Sequence, residues 1–352
     1  MRSLTAALAT LLLLAPAALA DSPIAGGSLF WENDAFAAFS SEGDKSDDKY
    51  TNGVRFTFNI DPERYRIDGF MDRFCRGFCA EGDPDCTRNF CRGIDPRSSV
   101  ALVAGHNFYT PEDIENPNPQ PLDRPWAGWL YVGALGVITD ANEKRQDTFE
   151  VQAGILGQGA GAGRLQTAIH KLGFSKRIPA GWSNQLENEP ALNLLYDQSR
   201  RYGNANLDIV PQAGVVLGTI QTYVHGAATV RVGWNITGFP VALIIPSVTS
   251  LEQEKPRWEA YVFAGGDARL VAHNAFLDGG LFRDGPSVDN RDFFVHDIRA
   301  GLSVRYKRFR LTYSHIRRSE EFEPVLASSG VHEFGSFMIG IEPPPRKPIG
   351  EQ

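Results

Sequence analysis

Residues 297–318 read DIRAGLSVRYKRFRLTYSHIRR and contain two runs in which polar residues alternate with Leu, Val, Ile and Tyr. Lys307 and Arg308 separate the two runs, as a two-residue turn separates the strands of a β-hairpin. Successive side chains of a strand point to opposite faces, so each run has one apolar and one polar face. The segment therefore predicts an antiparallel hairpin in a sheet with two chemically different faces.

The same alternation recurs along most of the chain. In VRFTFNI, residues 54–60, the large apolar side chains occupy every second position. An even number of such strands is typical of a closed up-and-down barrel in an outer membrane. We therefore predict an all-β, antiparallel transmembrane barrel with twelve strands at 24–33, 50–60, 98–108, 129–139, 146–157, 189–199, 206–219, 222–236, 257–271, 293–306, 308–318 and 333–342.

A soluble β-sandwich or barrel is the alternative, and two features favour the membrane. First, aromatic residues lie near predicted strand ends, as an interfacial girdle requires. These are Phe30, Trp31, Tyr50, Phe108, Tyr109, Trp126, Trp129 and Tyr131. Second, with a periplasmic N-terminus, most long connections fall at the outer end. The connection 61–97 departs from this rule because it is long and periplasmic.

Composition excludes several other classes of protein. The chain has 352 residues, a net charge of −7 and 11% aromatic residues, so it is neither a disordered chain nor a basic nucleic-acid-binding protein. Beyond the N-terminus, no apolar run approaches the ~20 residues that a membrane-spanning helix needs. A polytopic helical membrane protein is therefore excluded, whereas a β-barrel is not.

The N-terminal segment and the cysteines indicate export. Residues 1–20 combine Arg2, an apolar stretch and a terminal Ala-Leu-Ala, which predicts a signal peptide and a single barrel domain at 21–352. A helical anchor is the alternative and would need a longer apolar core. Within 61–97, two disulfides are favoured over a zinc site, because the spacing matches no standard zinc pattern. The cysteines are Cys75, Cys79, Cys86 and Cys91.

Counting strand directions places the unusual polar residues at the outer end of the barrel. Asn33 and Asp34 end the first strand, where a simple strand-ending turn is the alternative interpretation. The outer loop 158–188 contains a glycine-rich run followed by a predicted helix at 164–172. Gln166 and His170 are four residues apart, so they project from one face of that helix. Asn33, Asp34 and Gln166 offer the oxygen ligands that calcium selects.

Several motifs then resemble those of the outer-membrane lipid A deacylase family, the LpxR type. They are Glu32-Asn33-Asp34, Asp48-x-Tyr50-Thr51-Asn52-Gly53, Tyr109-Thr110-Pro111, Asp123-Arg124-Pro125-Trp126-Ala127-Gly128-Trp129, Gln166-x-x-x-His170, the run from Gly181 to Glu189 and the run from Gly226 to Gly233. The resemblance covers residues 27–341, and the motifs occur in the family's order.

This resemblance implies a twelve-stranded outer-membrane barrel that uses calcium to remove the 3′-linked acyloxyacyl group of lipid A. It implies that His170 is the general base that activates water, with Asn33 and Thr51 orienting water or the imidazole. It also implies that Asp34 and Gln166 hold calcium, which would polarise the ester carbonyl. The expected partners are lipid A or lipopolysaccharide and the outer membrane, with no nucleic acid, and the chain is expected to be a monomer.

One departure from the family pattern concerns the segment after His170. The family has a carboxylate shortly after this histidine, whereas here KLGFSKRIPAGW follows. Glu187 or Glu189 could replace that carboxylate. The cationic residues Lys171, Lys176 and Arg177 are predicted to bind the phosphates of lipid A.

Three functions are thus open from the sequence. The leading hypothesis is a calcium-dependent hydrolase of a lipid A acyl ester, an enzyme of the carboxylic ester hydrolase class. A non-catalytic outer-membrane barrel, either a pore or a lipopolysaccharide-binding protein, is the second. A phospholipid esterase that uses the same site is the third.

Overall fold

The computed structural model describes residues 24–36, 49–60, 97–140, 142–171, 177–240, 256–323 and 331–344. The predicted signal peptide, the four cysteines and Lys176 lie outside these residues. The side chain of Thr51 is also outside the description, although its backbone is part of a strand.

Thirteen strands and two α-helices make up the described chain, in the following order. The strands are β1 (Ile24–Asn33), β2 (Lys49–Ile60), β3 (Arg97–Thr110), β4 (Ala127–Thr139), β5 (Arg145–Leu156), β6 (Glu189–Arg200), β7 (Tyr202–Gly203), β8 (Leu207–Gly218), β9 (Gln221–Trp234), β10 (Trp258–Asn274), β11 (Phe294–Tyr306), β12 (Phe309–Arg318) and β13 (His332–Ile341). The helices are α1 (Ala162–Ile169) between β5 and β6, and α2 (Ala275–Asp278) after β10.

Twelve of these strands form a closed antiparallel barrel. Each pairs with its neighbours in the chain, and β1 closes the sheet against β13, with Ser28 opposite Gly340. β6 pairs directly with β8, and the two-residue β7 only extends the turn between them. The twelve-stranded barrel is therefore confirmed, and every predicted strand lies within about three residues of an observed one at each end.

The barrel wall has an apolar outer face. Side chains that alternate along the strands, such as Val132, Val262 and Ile298, are exposed on it. Aromatic side chains are exposed at the lower end, where β9 finishes at Trp234 and β10 begins at Trp258. An apolar band bordered by aromatic residues is typical of a wall that faces lipid. The predicted girdle is wrong for five residues that are buried, namely Phe108, Tyr109, Trp126, Trp129 and Tyr131. No helix among the described residues is long and apolar enough to span a membrane.

The inner face is polar, and its charges are paired across the lumen. Arg55 of β2 forms a two-pronged ion pair with Glu150 of β5, with both N–O distances at 2.7 Å. Gln152 also donates to this carboxylate at 2.7 Å. Near the lower end, Glu259 accepts from Arg310 at 2.7 Å and from Arg305 at 3.3 Å. The cavity beside Arg55 has a volume of only about 120 Å³.

The Arg55–Glu150 pair generates a prediction about stability. Replacing Arg55 by Met leaves the Glu150 carboxylate buried without its charge partner, so unfolding in urea should become about 3–5 kcal/mol easier. The double variant Arg55→Met, Glu150→Met should recover most of that loss. Arg145→Met, which breaks a half-exposed ion pair with Asp147, serves as the control and should cost under about 1 kcal/mol. Equal losses for Arg55→Met and the double variant would contradict the prediction.

Candidate active site

A row of residues crosses four adjacent strands at the upper end of the barrel, where β1 finishes. Asn33 pairs with Asn52, which in turn pairs with Phe108. Phe108 pairs with Gly128 of β4. Residues that pair across neighbouring strands share a face of the sheet. The row lies on the outer face, because Leu130, two residues along from Gly128, is 44% exposed on the outside of the wall.

Helix α1 packs against this row on the outside of the barrel. A Cβ added to Gly128 would lie 2.6 Å from the Cβ of Ala162 and 3.2 Å from that of Ala160. Only glycine therefore allows the helix to approach the wall so closely. Gly161 has a φ of 72°, in the left-handed region that favours glycine, and turns the chain into α1.

The helix turns its polar face toward the wall. Gln166 and His170 are 1% and 5% exposed, whereas Leu165 is 41% exposed on the other side. The helix begins two residues before its predicted start at Arg164, and a wider turn carries it through Lys171. The prediction that Gln166 and His170 share one face agrees with this geometry, which buries them between α1 and the strands.

The ring of His170 is oriented by the backbone. Its Nδ1 lies 2.6 Å from the carbonyl oxygen of Arg177. A carbonyl oxygen only accepts hydrogen bonds, so Nδ1 carries the proton of the neutral imidazole and Nε2 carries the lone pair. The ring is thus held in the tautomer that can accept a proton at Nε2.

The side chain of Gln166 is oriented by an indole. The Nε1 of Trp182 donates to Oε1 of Gln166 at 2.7 Å. Trp182 opens a short 3-10 turn, Trp182–Asn184, and its ring lies 4.9 Å from that of Trp126 and 6.5 Å from that of Phe108. Trp182 was not predicted as a site residue. Its only signal was a tryptophan in a motif between polar residues.

A second tryptophan, Trp31, forms a hydrogen bond with Asn52 near the start of this row. The Oδ1 of Asn52 accepts from Nε1 of Trp31 at 2.6 Å and from Nδ2 of Asn33 at 3.5 Å. Asn52 was quoted in a motif but not predicted as a site residue. Its position opposite Asn33 follows from the register of β1 against β2, which a bulge at Ala25 shifts.

Asp34 directly follows β1 and is buried. It begins a 3-10 turn, Asp34–Phe36, whose last carbonyl accepts from the hydroxyl of Tyr313 at 2.9 Å. The turn folds against Gly335 of β13. Since Gly335 is paired with Asn33, Asp34 lies at the same upper end of the outer wall. Among the described residues, no three His, Cys, Asp or Glu side chains form a cluster that could hold a metal ion.

The predicted cationic residues lie in two different surroundings. Lys171 is exposed and, together with Arg164, lines an open groove of about 570 Å³ along α1 and Trp182. Arg177 instead turns toward the loop between β3 and β4. It donates to the carbonyl of Glu112 at 2.9 Å, and acidic side chains lie near its guanidinium. Those side chains are Asp113 at 3.8 Å and Glu115 at 3.7 Å.

The two glutamates considered as replacements for the missing acid have other partners. The carboxylate of Glu189 accepts from the backbone N–H groups of Phe282 and Arg283, at 3.2 and 2.9 Å respectively. Glu187 forms an exposed ion pair with Arg283 at 3.3 Å. Both carboxylates therefore contact the loop after α2.

The loop between β3 and β4 braces the segment that carries Trp182. The backbone of Ala180 donates to Ile114, and that of Leu186 donates to Trp126. Arg124 anchors this loop to the other side of the barrel through Glu321 at 2.7 Å. Burial alone would raise the pKa of Glu321, but the guanidinium groups of Arg124 and of Arg318 outweigh burial and lower this pKa.

Comparisons with known proteins give one family match and several structural alignments. The model of the family described as "Outer membrane protein LpxR" matches residues 4–342. The structure of LpxR from Salmonella typhimurium aligns with a TM-score of 0.66 at 18% identity, over 90% of this chain and 99% of that chain. The β domain of the Bordetella autotransporter BrkA aligns with a TM-score of 0.40 at 10% identity, over 91% and 98% respectively. A sequence search of curated proteins finds no match.

The contact between Gly128 and α1 generates a second prediction. In Gly128→Val, the new side chain collides with Ala162 and should push the helix off the wall, while valine suits the strand itself. Hydrogen exchange in residues 160–170 should become about tenfold faster or more, with the barrel still folded by heat-modifiability on gels. Gly136→Val on the same strand is the control, because its Cβ would meet nothing within 4 Å. Unchanged protection of 160–170 in Gly128→Val would contradict this packing.

Proposed function

The chain belongs to the LpxR family of outer membrane proteins, and we propose that it hydrolyses an ester-linked acyl group of lipid A in the outer leaflet. One structural observation supports the proposal independently of family membership. The polar face of α1, with Gln166 and His170, is directed at the outside of the barrel wall and not at the lumen. A lipid in the surrounding leaflet could therefore reach it sideways.

The arrangement of His170 suits general base catalysis. With the Nδ1 proton donated to Arg177, Nε2 can take a proton from a water molecule as that water attacks the ester carbonyl. When the tetrahedral intermediate collapses, His170 returns the proton to the departing sugar oxygen. The products are a free fatty acid and lipid A with one acyl group fewer. Asn33 and Thr51 are proposed to orient the attacking water, as the family resemblance implies.

Calcium is proposed as the metal, and the described residues fit it in part. Asp34 is a buried carboxylate at the edge of the site, and Asn33 is its neighbour, so both offer the oxygen donors that calcium prefers. Gln166 fits less well, because its oxygen already accepts the indole N–H of Trp182. When bound, calcium would supply Lewis-acid stabilisation of the ester oxygen.

The filled lumen argues against the pore alternative. The Arg55–Glu150 pair spans the interior from β2 to β5, and the stacked rings of Tyr109 and Phe276, 4.0 Å apart, lie at the upper end. Among the described residues, paired charges and packed rings fill the interior around a cavity of about 120 Å³, which favours a filled barrel over an open channel. The specific acyl position, the 3′-acyloxyacyl group, remains part of the proposal.

The third prediction tests the activity itself. Purified protein in detergent micelles with hexa-acylated lipid A should release one acyloxyacyl group, seen by mass spectrometry, and His170→Ala should lower the rate by about 10²–10⁴-fold. Chelation should abolish the reaction, and added calcium should restore it better than magnesium. His296→Ala, at an exposed position of β11 away from α1, is the matched histidine control.

Each of three results would contradict the proposal. Equal acylation of lipid A with wild type and His170→Ala would exclude the catalytic role of His170. Steady conductance in planar bilayers, unaffected by His170→Ala, would instead support a pore. Fatty-acid release from glycerophospholipid vesicles with lipid A left intact would identify a phospholipid esterase.

We further propose that the groove beside α1 receives a phosphate group of lipid A. Arg164 and Lys171 both line it, and neither forms an ion pair with any residue in the described part of the chain. By contrast, Arg177 already has Asp113 and Glu115 beside it. Two unpaired cations on one wall of a groove favour an anionic ligand. Arg164 thus joins Lys171 among the proposed substrate-binding residues, together with Lys176.

The fourth prediction follows from this groove. Arg164→Gln combined with Lys171→Gln should raise KM for bisphosphorylated lipid A by about tenfold and leave kcat nearly unchanged. With dephosphorylated lipid A, the double variant and wild type should have equal KM values. Lys144→Gln combined with Arg200→Gln, two exposed positions at the lower end, is the charge-matched control. A similar rise in KM for both substrates would contradict recognition of phosphate.

A further inference from the structure

The amide of Gln166 is buried with only one of its two polar groups paired. Its oxygen accepts from Trp182 at 2.7 Å. Its nitrogen, Nε2, has no hydrogen-bond partner among the residues that the structure describes. Burial of an unpaired N–H group is unfavourable, and such groups in folded proteins call for an explanation.

The indole determines which way the amide faces. Indole N–H is a donor and has no acceptor, so the group opposite it must be the amide oxygen. A flipped amide would set an NH2 group against the indole N–H. The amide nitrogen is therefore directed away from Trp182, and the two N–H groups it carries need an acceptor from elsewhere.

Trp182 itself is fixed in place. A Cβ added to Gly163 would lie 2.7 Å from Cγ of Trp182, so the indole rests directly on the helix backbone. Its other contacts are the rings of Trp126 and Phe108. Packing on three sides leaves the indole N–H aimed at Gln166.

Gln166 and His170 lie one helical turn apart on the buried face of α1. Side chains at this spacing are neighbours, about 5–6 Å apart at their Cβ atoms. The helix thus presents a hydrogen-bond donor beside a proton acceptor, toward the outer wall of the barrel. This is the pair of groups that attack of water on a carbonyl requires, one for the oxygen and one for the water.

We propose that Gln166 donates a hydrogen bond to the carbonyl oxygen of the scissile ester, and that Trp182 is the positioning residue that holds the amide in this orientation. The inference rests on the proposed ester hydrolysis. As the water oxygen bonds to the carbonyl carbon, its proton passes to His170 and the C=O electron pair moves to the oxygen. Gln166 stabilises that oxyanion through N–H. When the carbonyl forms again and the C–O bond to the sugar breaks, the amide is unchanged.

This role differs from that of a calcium ligand. A ligand would turn the amide oxygen toward the cation and would leave the orphaned N–H groups without an acceptor. A carbonyl oxygen satisfies them. The two roles therefore make opposite demands on the same side chain, which allows a direct test.

Gln166→Glu separates the two roles, because glutamate keeps the shape of glutamine, lacks the N–H donor when ionised and is a better calcium ligand. On hexa-acylated lipid A at saturating calcium, we expect kcat to fall by about 10²–10³-fold with KM changed by less than about threefold. Retained kcat with activation at lower calcium concentrations would overturn the donor role and assign Gln166 to the metal.

Trp182→Phe tests the positioning role, because it keeps an aromatic ring but removes the indole N–H. We expect kcat to fall by about tenfold with KM unchanged, since the amide would then rotate freely. Trp126→Phe is the matched control: its ring contacts Trp182, but its indole nitrogen has no partner among the described residues. Equal losses in the two variants would reduce Trp182 to a packing residue and overturn its proposed role.

A spectroscopic measurement is independent of turnover. In ¹⁵N-labelled protein, the Trp182 indole resonance, assigned by its loss in Trp182→Phe, should move upfield in Gln166→Ala, while that of Trp126 should not. An unmoved Trp182 signal would show that no such hydrogen bond orients the amide. If wild type releases no acyl chain, the proposed function fails; if wild type is active and Gln166→Glu is equally active, only the present inference fails.

Discussion

Closure of the sheet is the constraint on which the rest of this molecule depends. In lipid, a strand edge would leave backbone N–H and C=O groups unpaired, so a sheet must close on itself. The pairing of β1 with β13 and of β6 with β8 achieves this. In a closed wall, each side chain points either into the lumen or to the outside. Here the lumen contains ion pairs such as Arg55–Glu150. Polar chemistry that acts on a lipid therefore has to be built outside the wall, at its upper end.

Helix α1 is the element that makes an outside site feasible. A surface helix normally buries its apolar face, but α1 buries Gln166 and His170 and leaves Leu165 exposed together with Arg164 and Lys171. Beside a membrane, this arrangement keeps the two buried polar groups out of contact with lipid. The helix can pack this closely only where the wall carries no side chain, and Gly128 opposite Ala162 provides such a position. The packing of the helix on the wall consequently also determines where the polar side chains of the site lie.

The sequence predicted the features that depend on local periodicity and failed on those that depend on tertiary contacts. Alternation over ten residues is enough to locate each strand, and counting directions was enough to bring Asn33 and His170 to one end of the barrel. The pairing of Asn52 with Asn33 depends on the register of β1 against β2, which a bulge at Ala25 shifts. The link between Trp182 and Gln166 depends on how a loop returns across α1. Neither contact leaves a periodic signal in the chain.

The absence of an acid after His170 becomes less puzzling once the ring's contacts are considered. A carboxylate beside a catalytic histidine has two effects: it fixes the tautomer, and it stabilises the imidazolium that forms. The carbonyl of Arg177 performs the first by accepting from Nδ1. A neutral carbonyl stabilises imidazolium less than a carboxylate does. Stabilisation of the oxyanion would therefore have to contribute more to lowering the activation barrier. The amide nitrogen of Gln166, which has no hydrogen-bond partner among the described residues, is the group that we propose to supply this stabilisation.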